Sequence, residues 1–190
     1  MTRFPEQIAC PRCLLVAPAI DLSQALQQAL NQSYALHARF MDWPRPERSL
    51  VDVEQGLRAA TDAFHSQEGE KRYYLVSPRR EQVLGCVGVE LGADPLHYLL
   101  GYWASANHTR QGYMSEALRQ LLPLLSHYPV RLTTSSANLA SQRLALRSGF
   151  RQIAVVPNDR HDPQLGWHDT LVYEITRYQQ AQGVPLRPNA

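Results

Sequence analysis

The hydrophobic period of this chain switches sharply from strand to helix between residues 97 and 125, and that switch constrains the kind of fold available. His97-Tyr-Leu-Leu-Gly-Tyr-Trp103 reads as a strand, whereas Met114, Ala117, Leu118, Leu121, Leu122 and Leu125 recur at helical spacing. The join, His108-Thr-Arg-Gln-Gly-Tyr-Met-Ser115, sets the helix start at the end of a sheet strand. First-turn N–H groups have no partner inside the helix, and the aligned peptide dipoles add about half a positive charge there. Such a terminus holds anions. Gly112 lets backbone approach a ligand or take positive φ, and Arg110 adds a fixed charge at the lip. An ordinary loop-to-helix join carries the same residues, so the stretch alone does not choose between the two readings.

The flanking sequence extends the pattern. Cys13–Ala17 reads as a strand, and Asp21 opens a helix with Leu22, Ala25, Leu26, Ala29, Leu30 and Leu36 on one face. Phe40-Met-Asp-Trp-Pro-Arg-Pro46 cannot be helical, because two prolines remove donors and fix φ, so it forms an aromatic elbow. Ser49 caps a second helix with Leu50, Val53, Leu57, Ala60 and Phe64 on its apolar side. Tyr73–Val76 and Gln82–Leu91 form an antiparallel pair in which Gly85 and Gly88 mark a bulge or a close backbone approach. Pro123 predicts a kink or a helix end near Leu122. Val130–Thr134 is a strand, Asn138 caps a helix that ends at Gly149, and Phe150–Val156 and Thr170–Ile175 are the last strands. The expectation is an α+β fold: a mixed, mostly antiparallel seven-stranded sheet with about four helices on its faces. Residues 1–178 make one domain and 179–190 a loosely held tail.

Charge and cysteine content narrow the classes. Nineteen basic against 17 acidic side chains leave +2, so no broad field exists to hold nucleic acid or an anionic membrane, and any anion site is local. No apolar run approaches the roughly 18 residues of a membrane span and no signal-like apolar core follows the N-terminus, which points to the cytoplasm. Cys10-Pro-Arg-Cys13 has the spacing of a zinc or redox pair, but no second ligand pair accompanies it, so the thiols read as structural and no metal site is expected. His161-Asp162 and His168-Asp169 read as solvated pairs, since adjacent strand residues face opposite ways.

Taken together, "GYW" at 101–103, "RQGYMSEAL" at 110–118, Asn138-Leu-Ala-Ser141 and Ser148-Gly-Phe150 resemble the GNAT superfamily of acyl-CoA-dependent N-acetyltransferases, over about Pro11 to Arg177. The similarity is to its RimJ/RimL-like branch, which includes ribosomal-protein N-terminal acetyltransferases. The resemblance implies acetyl-CoA as co-substrate, lying in a splayed gap between the strands at 97–103 and 130–134. It implies pantetheine contacts from the backbone of Trp103, Ala104, Ser105 and Ala106. It also implies pyrophosphate contacts from Thr109, Arg110, Gln111, Gly112, Tyr113, Met114 and Ser115. Thr109 stands where the family has Arg or Gln, and Arg110 can compensate. Asn138 matches the asparagine that contacts the donor, and Ser141 a position proposed as general acid for the leaving sulfur; as residues alone, they equally read as a helix cap and a first-turn serine.

The proton acceptor is the gap in the pattern. Many relatives carry an acid on the strand before "GYW", where this chain has Leu99 and Leu100; Glu90, Asp94, His97, Asp159 and His161 are open candidates. A weak base favours an α-amine, with pKa about 7.7–8.0, over a lysine near 10.4. The resemblance frames the acceptor with the elbow from Phe40 to Trp43, the segment Asp94–Tyr98 containing His97, and the loop Asn158–Trp167; Trp43 and Trp167 read equally as packing residues. The leading function is acetyl transfer to a primary amine, foremost a protein N-terminus, by direct attack in a ternary complex. A small amine (antibiotic, toxin or metabolite) and a non-catalytic acyl-CoA-binding module are the alternatives, and a homodimer is among the open assembly states. A P-loop nucleotide site is set aside, because Thr109–Ser115 lacks the Gly-Lys-Ser/Thr ending.

Overall fold

The computed structural model describes residues 4–92, 96–162 and 166–176. Eight strands form one sheet: β1 Gln7–Ala9, β2 Leu14–Val16, β3 Lys71–Val76, β4 Val83–Gly92, β5 His97–Ala104, β6 Val130–Ser135, β7 Arg151–Asp162 and β8 Gly166–Ile175. Their spatial order is β1-β2-β3-β4-β5-β6-β8-β7, and β5–β6 is its one parallel pair among the described residues. Five α-helices cover it: α1 Ser23–Gln32, α2 Tyr34–His37, α3 Leu50–His65, α4 Tyr113–Leu121 and α5 Leu139–Arg147.

The α+β class is as expected, with one strand more. β1 escapes sequence reading because three residues are too few to show a period, and it exists only by pairing with β2 across the Cys10–Cys13 turn. The first helix divides at Ser33, which is fully buried and accepts the Ala106 N–H on its Oγ at 2.9 Å. The loop expected from Asn158 to Trp167 is largely strand: β7 and β8 pair as far as Asp162↔Gly166, with irregular register between Val156 and Arg160.

Local signals elsewhere hold. Ser49 and Asp52 form a reciprocal capping box at the start of α3. α4 stops at Leu121 and passes into a 3-10 turn over Leu122–Leu125, as Pro123 dictates. Asn138 Oδ1 accepts the Ser141 N–H at the start of α5, and Gly149 leaves that helix at φ +91. A Cβ on Gly85 would lie 2.6 Å from the Trp103 carbonyl, the close approach anticipated there.

The helices divide between the two faces. Leu22, Leu26, Ala29, Val53 and Leu57 of the α1–α3 side pack on Val16, Tyr74, Val76 and Cys86. Met114, Ala117, Leu118, Leu121 and Ala145 of α4 and α5 pack on the opposite face with Leu15, Tyr73, Val87, Val89, Tyr98, Leu100 and Leu132. Among the described residues no helix is long and apolar enough to cross a membrane. The tail 179–190 lies outside the described residues.

Candidate active site

β5 and β6 pair only at Tyr98↔Val130 and Leu99↔Arg131, then part. The Tyr98 N–H reaches Pro129 O on the β6 side, whereas Ser105 N–H reaches Leu84 O on the β4 side. Backbone direction alternates along a strand, so Leu100 and Tyr102 turn N–H and C=O into the split. A cavity of about 1200 Å³ runs through it, joining the α4–α5 face to the α1–α3 face. The splayed pair expected from the resemblance is therefore present, while on its other edge β6 pairs with β8 over all six of its residues.

On the α4–α5 face the cavity meets the start of α4. Gly112 sits at φ +86 as the N-cap with no side-chain cap, and Arg110 also takes positive φ (60°). A Cβ at φ +86 would cost ~1–2 kcal/mol, so glycine is what makes this turn cheap. Glu116 N–H already bonds Gly112 O, which leaves the N–H groups before it aimed outward. Arg12, projecting from the turn between β1 and β2, clamps the loop. Its Nε donates to Glu116 Oε1 (2.6 Å), its Nη2 to Gln111 O (2.6 Å), and its guanidinium lies 4.8 Å from the Tyr113 ring centre. The Cys10 and Cys13 thiols flank Arg12; the hydrogen bond between them lowers the pKa of Cys10 and raises that of the buried Cys13. Arg143 and Arg147 of α5 line the same half of the cavity. His108 Nδ1, shielded from solvent, has no hydrogen-bond partner among the described residues. An orphan donor or acceptor there, beside outward N–H groups and three arginines, fits a polyanionic ligand.

Deeper in the split, Tyr102 Oη and Ser141 Oγ lie 2.9 Å apart. Burial raises the Tyr102 pKa against the opposing effect of Ser141, so the phenol keeps its proton and the pair can deliver one to a leaving group.

On the α1–α3 face, His37, Trp43 and Trp103 form an aromatic cluster with centroid separations of 5.1–6.3 Å. Burial lowers the His37 pKa, against the Ala104 carbonyl that its Nε2 meets at 2.9 Å, so the ring is neutral and donates. Glu70 and Arg72 pair on the wall. Arg160 reaches Thr170 Oγ1 (2.8 Å), Thr133 Oγ1 (3.2 Å) and Phe40 O (3.4 Å), tying the elbow to β6 and β8 across the split.

Most of the expected site residues meet here. Phe40, Trp43, Trp103, Ala104, Thr109, Arg110, Gly112, Tyr113, Met114, Ser115, Asn138 and Ser141 all line the cavity. Four expected residues do not. The Ser105 N–H and Ala106 N–H are committed to Leu84 O and Ser33 Oγ, and Gln111 faces Asn107 O. His97 lies over Gly92, where a Cβ would sit 2.8 Å from its ring. Thr109 Oγ1 is committed to Ala106 O at 3.2 Å. Of the base candidates, Glu90, Asp159 and His161 lie outside the wall: Asp159 accepts from Thr170 Oγ1 (2.6 Å) and His161 stacks edge-on against Trp167. Asp94 lies outside the described residues. Arg12, His37, Glu70, Arg72, Tyr102 and Arg160 were not singled out in the sequence. Only Tyr102 carried a signal, as the central residue of "GYW".

A sheet split at a parallel pair, with an uncapped helix start on one face and an aromatic pocket on the other, gives one cavity with two chemically distinct halves. The chain belongs to the acetyltransferase (GNAT) domain family, whose model matches residues 12–151. No curated protein matches the sequence. Solved structures share the fold. The microcin C7 self-immunity acetyltransferase MccE, in complex with acetyl-CoA and AMP, has 18% identity and TM-score 0.80 over 92% of this chain and 98% of its own. RimL, the ribosomal L7/L12 α-N-protein acetyltransferase, in complex with coenzyme A, has 20% identity and TM-score 0.79 over 90% and 99%. The ribosomal-protein-S5-alanine acetyltransferase of Vibrio fischeri has 12% identity and TM-score 0.76 over 90% and 96%.

Proposed function

We propose that the protein transfers an acetyl group from acetyl-CoA to the α-amine of a polypeptide by direct attack in a ternary complex. The observation that carries this reading is the single cavity through the β5–β6 split, which opens an anion-binding half onto an aromatic half at the point where Tyr102 and Ser141 meet. The N–H groups at the start of α4, with Arg110, Arg143 and Arg147, suit the donor's phosphates. The backbone of Leu100, Tyr102 and Ala104 suits an extended amide-bearing arm, which would lie along β5 as a further strand does.

The acceptor enters from the face of Trp43 and Arg160. Its nitrogen attacks the carbonyl carbon as the bond to sulfur breaks, and Tyr102–Ser141 supplies the sulfur's proton. Leu99, on the face where many relatives carry an acid, favours an amine that is partly neutral by itself, which an α-amine is and a lysine is not. RimL and the S5-alanine acetyltransferase, whose names describe ribosomal proteins as acceptors, support the same choice.

The test is acetyl-CoA-dependent mass gain on peptides beginning with Ser or Ala, beside N-terminally blocked lysine peptides and a panel of small primary amines. The expected result is modification at the free N-terminus. Turnover of blocked lysine peptides alone, or of small amines alone, would refute the polypeptide α-amine as acceptor.

A further inference from the structure

We propose that Glu70 is the catalytic carboxylate of the acceptor side: it holds the incoming ammonium at the split and receives the proton that the nitrogen must lose. The inference rests on the acetyltransferase reading. An α-amine is only partly neutral near pH 7, so even this weakly basic acceptor gains from an anion to dock against and a group to take its proton, a demand far smaller than a lysine's. Among the described residues the cavity wall holds two carboxylates, Asp52 and Glu70. Asp52 is committed to α3, where its Oδ2 accepts the Ser49 hydroxyl at 2.7 Å and the Ser49 N–H at 3.2 Å. Glu70 remains.

Its placement follows from two glycines. In the register of β3, β4 and β5, Arg72 stands opposite Gly88 and Gly88 opposite Gly101. The Glu70 carboxylate folds over Gly88 so closely that a Cβ there would overlap it. Gly101 has nothing within 4 Å of where its Cβ would project, and it lies two residues beyond Leu99, the last β5 residue paired with β6. Any side chain at either position would stand between Glu70 and the split. With both absent, the carboxylate lies about one strand spacing, ~4.8 Å, from the strand that borders the reaction site. Leu99 shares that strand face with Gly101, so the carboxylate comes in from β3 beside the place where β5 carries no acid. Arg72 pairs with Glu70 and acts as the positioning residue.

The transfer step balances with these groups. The ammonium first gives one proton to the Glu70 carboxylate, which passes it to solvent; the freed lone pair forms the bond to the carbonyl carbon, the carbon–sulfur bond breaks, and sulfur takes a proton from the Ser141–Tyr102 pair. The second proton, released from nitrogen as the amide forms, leaves to solvent by the same carboxylate, while the hydroxyl pair is reprotonated from solvent.

The test measures initial rates of CoA release with acetyl-CoA and Ser- or Ala-initiated peptides, in parallel with small primary amines, from pH 6.5 to 9.5. The wild type is compared with Glu70→Gln and Gly88→Ala, and acetyl-CoA affinity is measured for all three. Glu70→Gln should lower kcat/KM about a hundredfold at pH 7, within the usual range for a general base. The deficit should shrink toward pH 9.5, where the α-amine is neutral without help, and acetyl-CoA affinity should not change. Gly88→Ala displaces the carboxylate without removing it and should produce a smaller loss with the same pH dependence. Loss of less than threefold in Glu70→Gln, or an equal loss at every pH, would overturn the role of Glu70 while leaving the acetyltransferase reading intact. A wild type that binds acetyl-CoA but turns over none of these amines would overturn both.

Discussion

Gly112→Asp separates the donor site from the fold. At φ +86 an L-residue is strained by ~1–2 kcal/mol, while a carboxylate at the positive end of α4 recovers ~0.3–1 kcal/mol. The Cβ itself would meet Arg12 Nη2 at 3.1 Å, the mobile end of a long side chain that can yield. The folded state should therefore lose no more than ~2 kcal/mol, or about 4–8 °C in Tm for a chain this long. The ligand loses far more. A fixed negative charge stands where the donor's pyrophosphate should lie, and each charge-assisted hydrogen bond forfeited is worth ~1.5–3 kcal/mol. Two such bonds amount to at least a hundredfold in Kd. At an acetyl-CoA concentration a hundred times the wild-type Kd, the ligand stabilises the wild type by ~2.7 kcal/mol, and a hundredfold weaker variant by only ~0.4 kcal/mol. Calorimetric titration with acetyl-CoA, paired with thermal unfolding with and without it and with ATP as a control, reads both quantities. Gly112→Ala is the companion variant: it carries the backbone strain without the charge and should keep Kd within about tenfold. Unchanged acetyl-CoA affinity in Gly112→Asp would refute the assignment of the α4 terminus to the donor.

Other expectations concern the acid, the elbow and the buried histidine. Tyr102→Phe and Ser141→Ala should each lower kcat by about 10–100-fold with acetyl-CoA affinity unchanged, and the double variant should lose little more, because the two hydroxyls act as one unit; additive losses in steady-state kinetics would break the relay. Arg160→Ala frees the Phe40 carbonyl and Thr133, so KM for the acceptor peptide should rise severalfold while acetyl-CoA affinity stays the same. Equal weakening of both ligands would contradict that division. His37 is buried and neutral with its pKa depressed, so the unfolded chain binds the extra proton first as pH falls below about 6.5. Its contribution to stability is complete above that pH and declines as pH falls toward the folded-state value. Urea unfolding between pH 5 and 7.5 should show a shallower pH dependence in His37→Gln, whose side-chain amide can still donate to Ala104 O.

The local signals that survived are those written in consecutive residues. Capping by Ser49 and Asn138, helix termination at Pro123, and the positive φ of Gly112 and Gly149 each depend on a few neighbours and a backbone preference. These were legible because the physics that sets them acts over one helical turn. β1 and the long β7–β8 hairpin were not, since three residues show no period and the β7 register is irregular around Pro157 and Asn158. The acceptor side was legible only as a list of loops. Glu90, Asp159 and His161 have the right chemistry at plausible places in the chain but are spent elsewhere or face away.

What the sequence determined by itself is the α+β pattern and the family. What the tertiary structure alone decided is which side chains share the cavity. Glu70 lines the cavity over Gly88, and Gly88 and Gly101, thirteen residues apart in the chain, come opposite one another in the β4–β5 register. Arg12 clamps a loop nearly a hundred residues away, and Tyr102 meets Ser141 across the point where β5 and β6 part. Strand alternation tells which face a residue takes, but the partner across the sheet is set by register, and register is settled by packing over the whole fold.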